Sequence, residues 1–223
     1  MKVDLRLNAI VDPERAGGRD LAELARLCAE GGATLVQLRD KVSETRAMVE
    51  EARAIKKALA AFAVPLVVND RVDVALAAGA DGVHVGQDDM AAADARRLLG
   101  QTAIIGLSVK NVAEAEAAPV ALINYVGSGG VYVTGSKQQN NPPIGPEGLA
   151  RIIAVLRGRT QKQNKELPVC GIAGIDAGNA GAVIAAGADG VAVISALSLA
   201  PDPAAAARAL RQIVDAMLAK RGT

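Results

Sequence analysis

Short apolar runs alternate along this chain with longer stretches whose apolar positions recur every three or four residues. The short runs, rich in Val, Ile and Leu, predict strands near 4–11, 33–39, 64–68, 81–85, 102–107, 122–126, 167–171 and 189–193. A helical pattern follows each; over 43–62, Met48, Ala52, Ile55, Leu59 and Phe62 fall on one face. Buried strands alternating with amphipathic helices predict a parallel sheet covered by helices. Pattern alone leaves a barrel and an open doubly wound sheet as the two arrangements.

An internal echo favours the barrel. AAGADGVHVG at 77–86 returns as AAGADGVAVI at 185–194, an offset of 108 residues, and EGGATLVQLR at 30–39 has the same shape. Each copy ends a helix with Ala and then Gly, suited to a left-handed cap, and starts an apolar strand. Four such units in 108 residues make each about 27 long, and 223 residues hold about eight. The expected fold is α/β, a single (β/α)8 TIM barrel spanning 1–223.

Several strands end in charge. In LVQLRDK (35–41), alternation puts Gln37, Arg39 and Lys41 on one side and Val36, Leu38 and Asp40 on the other. Active sites in this architecture are built at the C-terminal ends of the strands, and polar residues gather there. The third strand leads to Asn69 and Asp70, the fourth through His84 to Gln87, Asp88 and Asp89, and the fifth to Ser108. The sixth opens into GSGGVYVTGSK at 127–137, the seventh ends in GIAG at 171–174, and the eighth in Ile194 and Ser195. The break at 127–146 is long for a compact barrel, which marks it as functional. The polar segment TQKQNKEL at 160–167 reads as an ordinary surface turn.

Composition narrows the ligand. One Phe, two Tyr and no Trp leave little for base stacking. A net charge of +1 with both signs intermixed gives neither a nucleic-acid footprint nor a polybasic membrane patch. The expected partners are therefore small molecules held by a local cluster, with no nucleic acid and no membrane; a homo-oligomer stays open. Cys28 and Cys170 read as two buried thiols. With no apolar signal core at the N-terminus and no run of about 18 apolar residues, the protein is expected to be cytoplasmic.

Each polar residue also has a structural reading. Arg39 and Lys41 could pair with Asp70 and Asp89 in an ion network, although inward charges without a ligand are costly to desolvate. Asp70 precedes a helical pattern and could cap it, and one of Asp88 and Asp89 is expected to cap the helix after them. His84 is expected to hydrogen-bond behind the site rather than act as a general base. The combination is more specific than any member. Two carboxylates able to hold Mg²⁺, set among fixed cations and amides, are what binds a diphosphate. Backbone N–H groups at 171–174 and after the eighth strand predict a second, monophosphate site. A transferase joining two phosphorylated molecules follows. No Ser–His or Cys–His nucleophile pair is evident in the sequence.

These residues resemble the thiamine-phosphate synthases (thiamine-phosphate pyrophosphorylases). The likeness runs in order through LVQLRDK, VVNDRVDVALAAGADGVHVGQDD, IIGLSVKN, YVGSGGVYVTGSK and GIAGIDAGNAGAVIAAGADGVAVISAL, nearly the whole chain. The resemblance implies that 4-amino-2-methyl-5-(diphosphooxymethyl)pyrimidine is held by Gln37, Arg39, Lys41, Asn69, Ser108 and Lys137. Of these, Arg39, Lys41, Lys137 and Ser108 would be catalytic. It implies Mg²⁺ on Asp70 and Asp89. It also implies a thiazole phosphate against Thr134, Gly135 and Ser136, its phosphate on Gly174, Ile194 and Ser195. Pyrophosphate would leave first, and the thiazole nitrogen would capture the pyrimidinylmethyl cation. Ser128, Val133 and Ala173 depart from the residues usual in the family. A thiazole tautomerase-like relative, which would not need Arg39, Lys41, Asp70, Asp89 and Lys137 together, and a non-catalytic phosphate-binding barrel are the competing readings.

Overall fold

The computed structural model describes residues 3–135 and 142–222. Its strands are β1 (Leu7–Val11), β2 (Leu35–Leu38), β3 (Leu66–Asn69), β4 (Gly82–Val85), β5 (Ile104–Val109), β6 (Tyr125–Gly129), β7 (Val169–Ile172) and β8 (Gly190–Val193). All pair in parallel with their chain neighbours, and β8 pairs with β1, which closes the barrel and excludes the open sheet. The helices are α1 (Leu21–Glu30), α2 (Thr45–Leu59), α3 (Val72–Ala78), α4 (Ala92–Leu99), α5 (Val112–Ala117), α6 (Gly145–Gln161), α7 (Ala180–Ala185), α8 (Ser195–Ser198) and α9 (Pro203–Arg221).

Two cores follow from strand alternation. Leu7, Ala9 and Val11 point outward into the layer shared with the helices, as do Val36, Leu38, Val68 and Val83. Ile10, Leu35, Val67, Ile104, Tyr125, Cys170 and Ala192 fill the barrel interior. Met48, Ala52, Ile55 and Leu59 are the buried face of α2, as their spacing predicts. Both cysteines are buried and free, and burial pushes each thiol up to about 12.

The echo in the sequence has a structural meaning. The residue just before each even-numbered strand exchanges two hydrogen bonds with the odd-numbered strand before it. Asp81 donates its N–H to the Leu66 carbonyl (2.8 Å) and accepts the Leu66 N–H on Oδ2 (2.9 Å). Asp189 does the same with Val169 (2.7 and 2.9 Å), Asn124 with Ile105 (2.7 and 2.9 Å), and Thr34 with Leu7 (2.8 and 3.1 Å). Each side chain thereby satisfies a backbone donor at the start of a buried strand, at the bottom of the barrel. The glycine after each Asp is dictated by close approach. A Cβ on Gly82 would lie 1.9 Å from the Ile104 carbonyl oxygen, and one on Gly190 would lie 1.7 Å from that of Leu5.

The sixth strand begins at Tyr125 and ends at Gly129, later than the pattern predicts, because 118–124 is held as a turn by two cations. Arg96 donates to the carbonyls of Leu122, Gly100, Gln101 and Ala103 and to Asn124 Oδ1 at 2.7–3.3 Å. Lys165 Nζ donates to the carbonyls of Val120, Ala121 and Ile123 at 2.6, 3.0 and 2.8 Å. The segment 160–167 is therefore not an ordinary surface turn.

One carboxylate is poorly placed. Glu51 on α2 has a buried Oε1 without a hydrogen-bond partner, and burial, then the charges of Asp20 and Asp40, raise its pKa. The folded state holds this proton more tightly than the unfolded chain, so the associated stability is present at low pH and lost as pH rises through the folded value. Glu51→Gln is expected to stabilise the protein at pH 7 by on the order of 1 kcal/mol. In urea unfolding followed across pH, that gain should vanish near about pH 4, where the unfolded-state Glu takes up its proton. A gain independent of pH would assign the effect to packing.

Candidate active site

The charged residues converge at the C-terminal mouth in two linked clusters. Arg39, one residue past β2, is pulled across to β1, where its Nη1 pairs with Asp12. Asp12 is 1% exposed and also accepts the Glu14 N–H at 2.9 Å. Sequence reasoning missed Asp12; its signal was an acid at the C-terminal end of a buried strand, in VDP. Lys41, half-exposed, pairs with Asp70. Asp70 has φ +62°, in the left-handed region that Asp tolerates better than most residues, so the chain turns sharply as it leaves β3. Its carboxyl is within hydrogen-bonding reach of Asp89. Burial, first, and that carboxyl–carboxyl contact raise its pKa, with Lys41 pulling the other way.

Neither cap expectation holds. Arg71 is the N-cap of α3 and Ala91 that of α4, and neither has a side-chain cap bond. Asp89 instead turns back, its Oδ2 accepting the Gly86 N–H at 2.7 Å, which leaves it facing Asp70. Arg39 pairs with Asp12 rather than with Asp70 or Asp89, so the expected ion network is only half formed.

Gln37 is 3% exposed and turns inward, as alternation predicts, where its side chain hydrogen-bonds the Tyr125 hydroxyl. Tyr125 lies 3.0 Å from His84 Nδ1, and His84 Nε2 lies 2.9 Å from Ser108 Oγ. A Ser–His pair is thus present, contrary to the sequence reading. Its far nitrogen meets a phenol, where the imidazole of a catalytic triad is oriented by a carboxylate. Asn69 sits beside His84 in the β3–β4 register, and Gln87 Nε2 donates to the Ser108 carbonyl at 2.6 Å. Gln37, Asn69, His84 and Ser108 therefore line one side of the mouth, while Lys41, Asp70 and Asp89 form the ion cluster.

The loop after β6 lies on the turn after β7. Val131 N donates to the Ile172 carbonyl (2.9 Å) and Tyr132 N to the Ala173 carbonyl (3.1 Å). Gly174 has φ +64°, and a Cβ there would meet the Val133 carbonyl oxygen at 2.3 Å, so glycine is required by backbone shape and by the crossing loop together. Ala173, with φ +86°, occupies the same sparsely populated region with a methyl group. Thr134 and Gly135 continue from this crossing; Ile194 packs on the barrel interior and Ser195 opens α8. Ser136 and Lys137 lie outside the described residues. No helix among the described residues is long and apolar enough to cross a membrane.

A closed parallel barrel with cations, a carboxylate pair and a glycine turn at one mouth defines a (β/α)8 enzyme of small phosphorylated substrates. A profile of the family described as thiamine monophosphate synthase matches residues 7–197. Over 220 residues the chain is 52% identical to the thiamine-phosphate synthase of Agrobacterium fabrum, covering 99% of this chain and 98% of that one. It is 45% identical over 208 residues to that of Moorella thermoacetica, covering 93% and 95%. Among solved structures it resembles the thiamine phosphate pyrophosphorylase from Pyrococcus furiosus, with a TM-score of 0.82 at 36% identity over 97% of this chain and 98% of that one. The chain belongs to the thiamine monophosphate synthase family. It is a transferase that joins a pyrimidine diphosphate to a thiazole phosphate, giving thiamine phosphate and pyrophosphate.

Proposed function

We propose that the transfer runs by departure of pyrophosphate followed by capture of the pyrimidinylmethyl cation, with the residues at the mouth in separate roles. The observation that carries this is the Lys41–Asp70–Asp89 cluster beside the Asp12–Arg39 pair. Two carboxylates in contact, one with a raised pKa, are a donor set short of positive charge, which fits a hard divalent cation. Asp70 and Asp89 would hold Mg²⁺, which when bound neutralises charge on a diphosphate.

Arg39 gives one N–H to Asp12 and has further donors left with which to hold the diphosphate. Lys41 and Lys137 add compact positive charge, and Asn69 and Ser108 add neutral polar contacts. Gln37 addresses the pyrimidine ring. Thr134, Gly135 and Ser136 flank the thiazole, and the backbone at Gly174, Ile194 and Ser195 receives its phosphate. Charge grows on the leaving group as the bond to carbon breaks, so fixed cations favour the transition state over the ground state. Such a reaction asks for no protein nucleophile.

The test is incubation of the purified protein with both substrates, with and without Mg²⁺, identifying products by mass. Thiamine phosphate and pyrophosphate are expected only when both substrates and the metal are present. Conversion of the thiazole phosphate alone would point to a tautomerase; binding without turnover would point to a non-catalytic barrel.

A further inference from the structure

The barrel interior holds a hydrogen-bonded chain whose two ends reach the site: Gln37, Tyr125, His84 and Ser108 in order. Space has been cleared for it. A Cβ on Gly106 would lie 2.1 Å from Tyr125 Cζ and 2.5 Å from His84 Nδ1, and one on Gly127 would lie 3.1 Å from His84 Cε1. Tyr125 is fully buried and His84 is 7% exposed, so the links between them are protein to protein. Burial keeps Tyr125 a neutral phenol, which can donate one hydrogen bond and accept another.

A chain of such groups has a direction. With a neutral imidazole, each of the three links carries one hydrogen, and all must point the same way. In one sense Gln37 donates its amide N–H to Tyr125, Tyr125 donates to Nδ1, and Nε2–H donates to Ser108. Gln37 then shows its carbonyl oxygen to the site, and Ser108 is left its hydroxyl proton. In the opposite sense Gln37 shows its amide N–H groups, and Ser108 shows a lone pair. A substrate with an amino group at one end and a diphosphate at the other needs an acceptor and then a donor, which is the first sense.

We propose that His84 and Tyr125 are positioning residues that lock this sense, so that Gln37 reads the substrate's amino group as a fixed acceptor while Ser108 donates toward the diphosphate. This rests on the assignment of Gln37 and Ser108 to the pyrimidine diphosphate. It also explains why the Ser–His pair does no nucleophilic work: a histidine that donates to the serine cannot take its proton. Tyr125→Phe removes the middle hydroxyl with little change of shape, freeing the Gln37 amide to turn over.

Two measurements test the inference. His84 is the sole histidine of the chain, so ¹⁵N NMR of untagged protein reads its tautomer without mutation. The proton is expected on Nε2; a proton on Nδ1 overturns the proposal. The second compares the pyrimidine diphosphate with its analogue bearing an oxo group in place of the amino group. The native protein should prefer the amino substrate by on the order of 10²-fold or more in kcat/KM, as sites built around a buried hydrogen bond do. Tyr125→Phe should cut that preference at least tenfold, mainly through KM, with unchanged KM for the thiazole phosphate. An unchanged preference in a folded Tyr125→Phe protein overturns the lock. Failure of the native protein to use the amino substrate would instead remove the site assignment, and the tautomer still decides the direction of the chain.

Discussion

Asp89→Ala is expected to lower kcat/KM by on the order of 10³-fold while leaving thermal stability within a degree or two, as for loss of a preorganised electrostatic group. The side chain sits at the mouth, outside the packed interior, and there accepts the nearby Gly86 N–H at 2.7 Å, so the core does not depend on it. Its loss also removes the carboxyl that raises Asp70's pKa, leaving Asp70 to Lys41. Calorimetric titration of Mg²⁺ in the presence of pyrophosphate should show weakened binding. Asp88→Ala is the control, because Asp89 and not Asp88 faces Asp70. If Asp88→Ala is the damaging change, the metal assignment moves to Asp88.

The second large effect lies at the opposite end of the barrel and should read out only as stability. Arg96 is 8% exposed and donates to backbone carbonyls from two loops and to Asn124, with no carboxylate among those partners. Arg96→Leu removes the donor these carbonyls share and leaves Asn124 Oδ1 only the Ile105 N–H, so a loss of about 3 kcal/mol is expected in urea unfolding. Arg96→Lys should recover only part of it, since one ammonium cannot span what the planar fork spans. The kcat and KM of the folded fraction should stay within about twofold, because conservation of function in these barrels resides at the other face. A change in KM comparable to that of Asp89→Ala would mean that the lower loops shape the mouth.

The barrel was legible in the sequence because its strands are short, mostly apolar runs alternating with helical patterns, two of them opening on the same AAGADGV segment, and because inward alternation placed Gln37 correctly. What escaped was pairing across the barrel. Alternation says which way Arg39 and Tyr125 point but not what they meet, so Asp12 and the phenol behind His84 had no local signal beyond an acid and an aromatic in the wrong company. The caps failed for a related reason. An Asp before a helix is a fair sign of an N-cap, yet Asp89 is claimed by Gly86 and Asp70 by a left-handed turn, both set by the β3–β4 register. Lys165 was hidden in a segment whose composition is that of any exposed turn, because its partners come from over forty residues earlier in the chain.

The reciprocal bonds of Thr34, Asp81, Asn124 and Asp189 join β1 to β2, β3 to β4, β5 to β6 and β7 to β8. For anyone re-cutting this chain, the grain therefore has four tiles rather than eight. New termini placed in the connections before β3, β5 or β7 fall on a seam and leave every tile whole. Termini placed before β2, β4, β6 or β8 cut a strand's covalent link to the residue that seals its own opening donor. A half-barrel split after α4 would carry two complete tiles on each side.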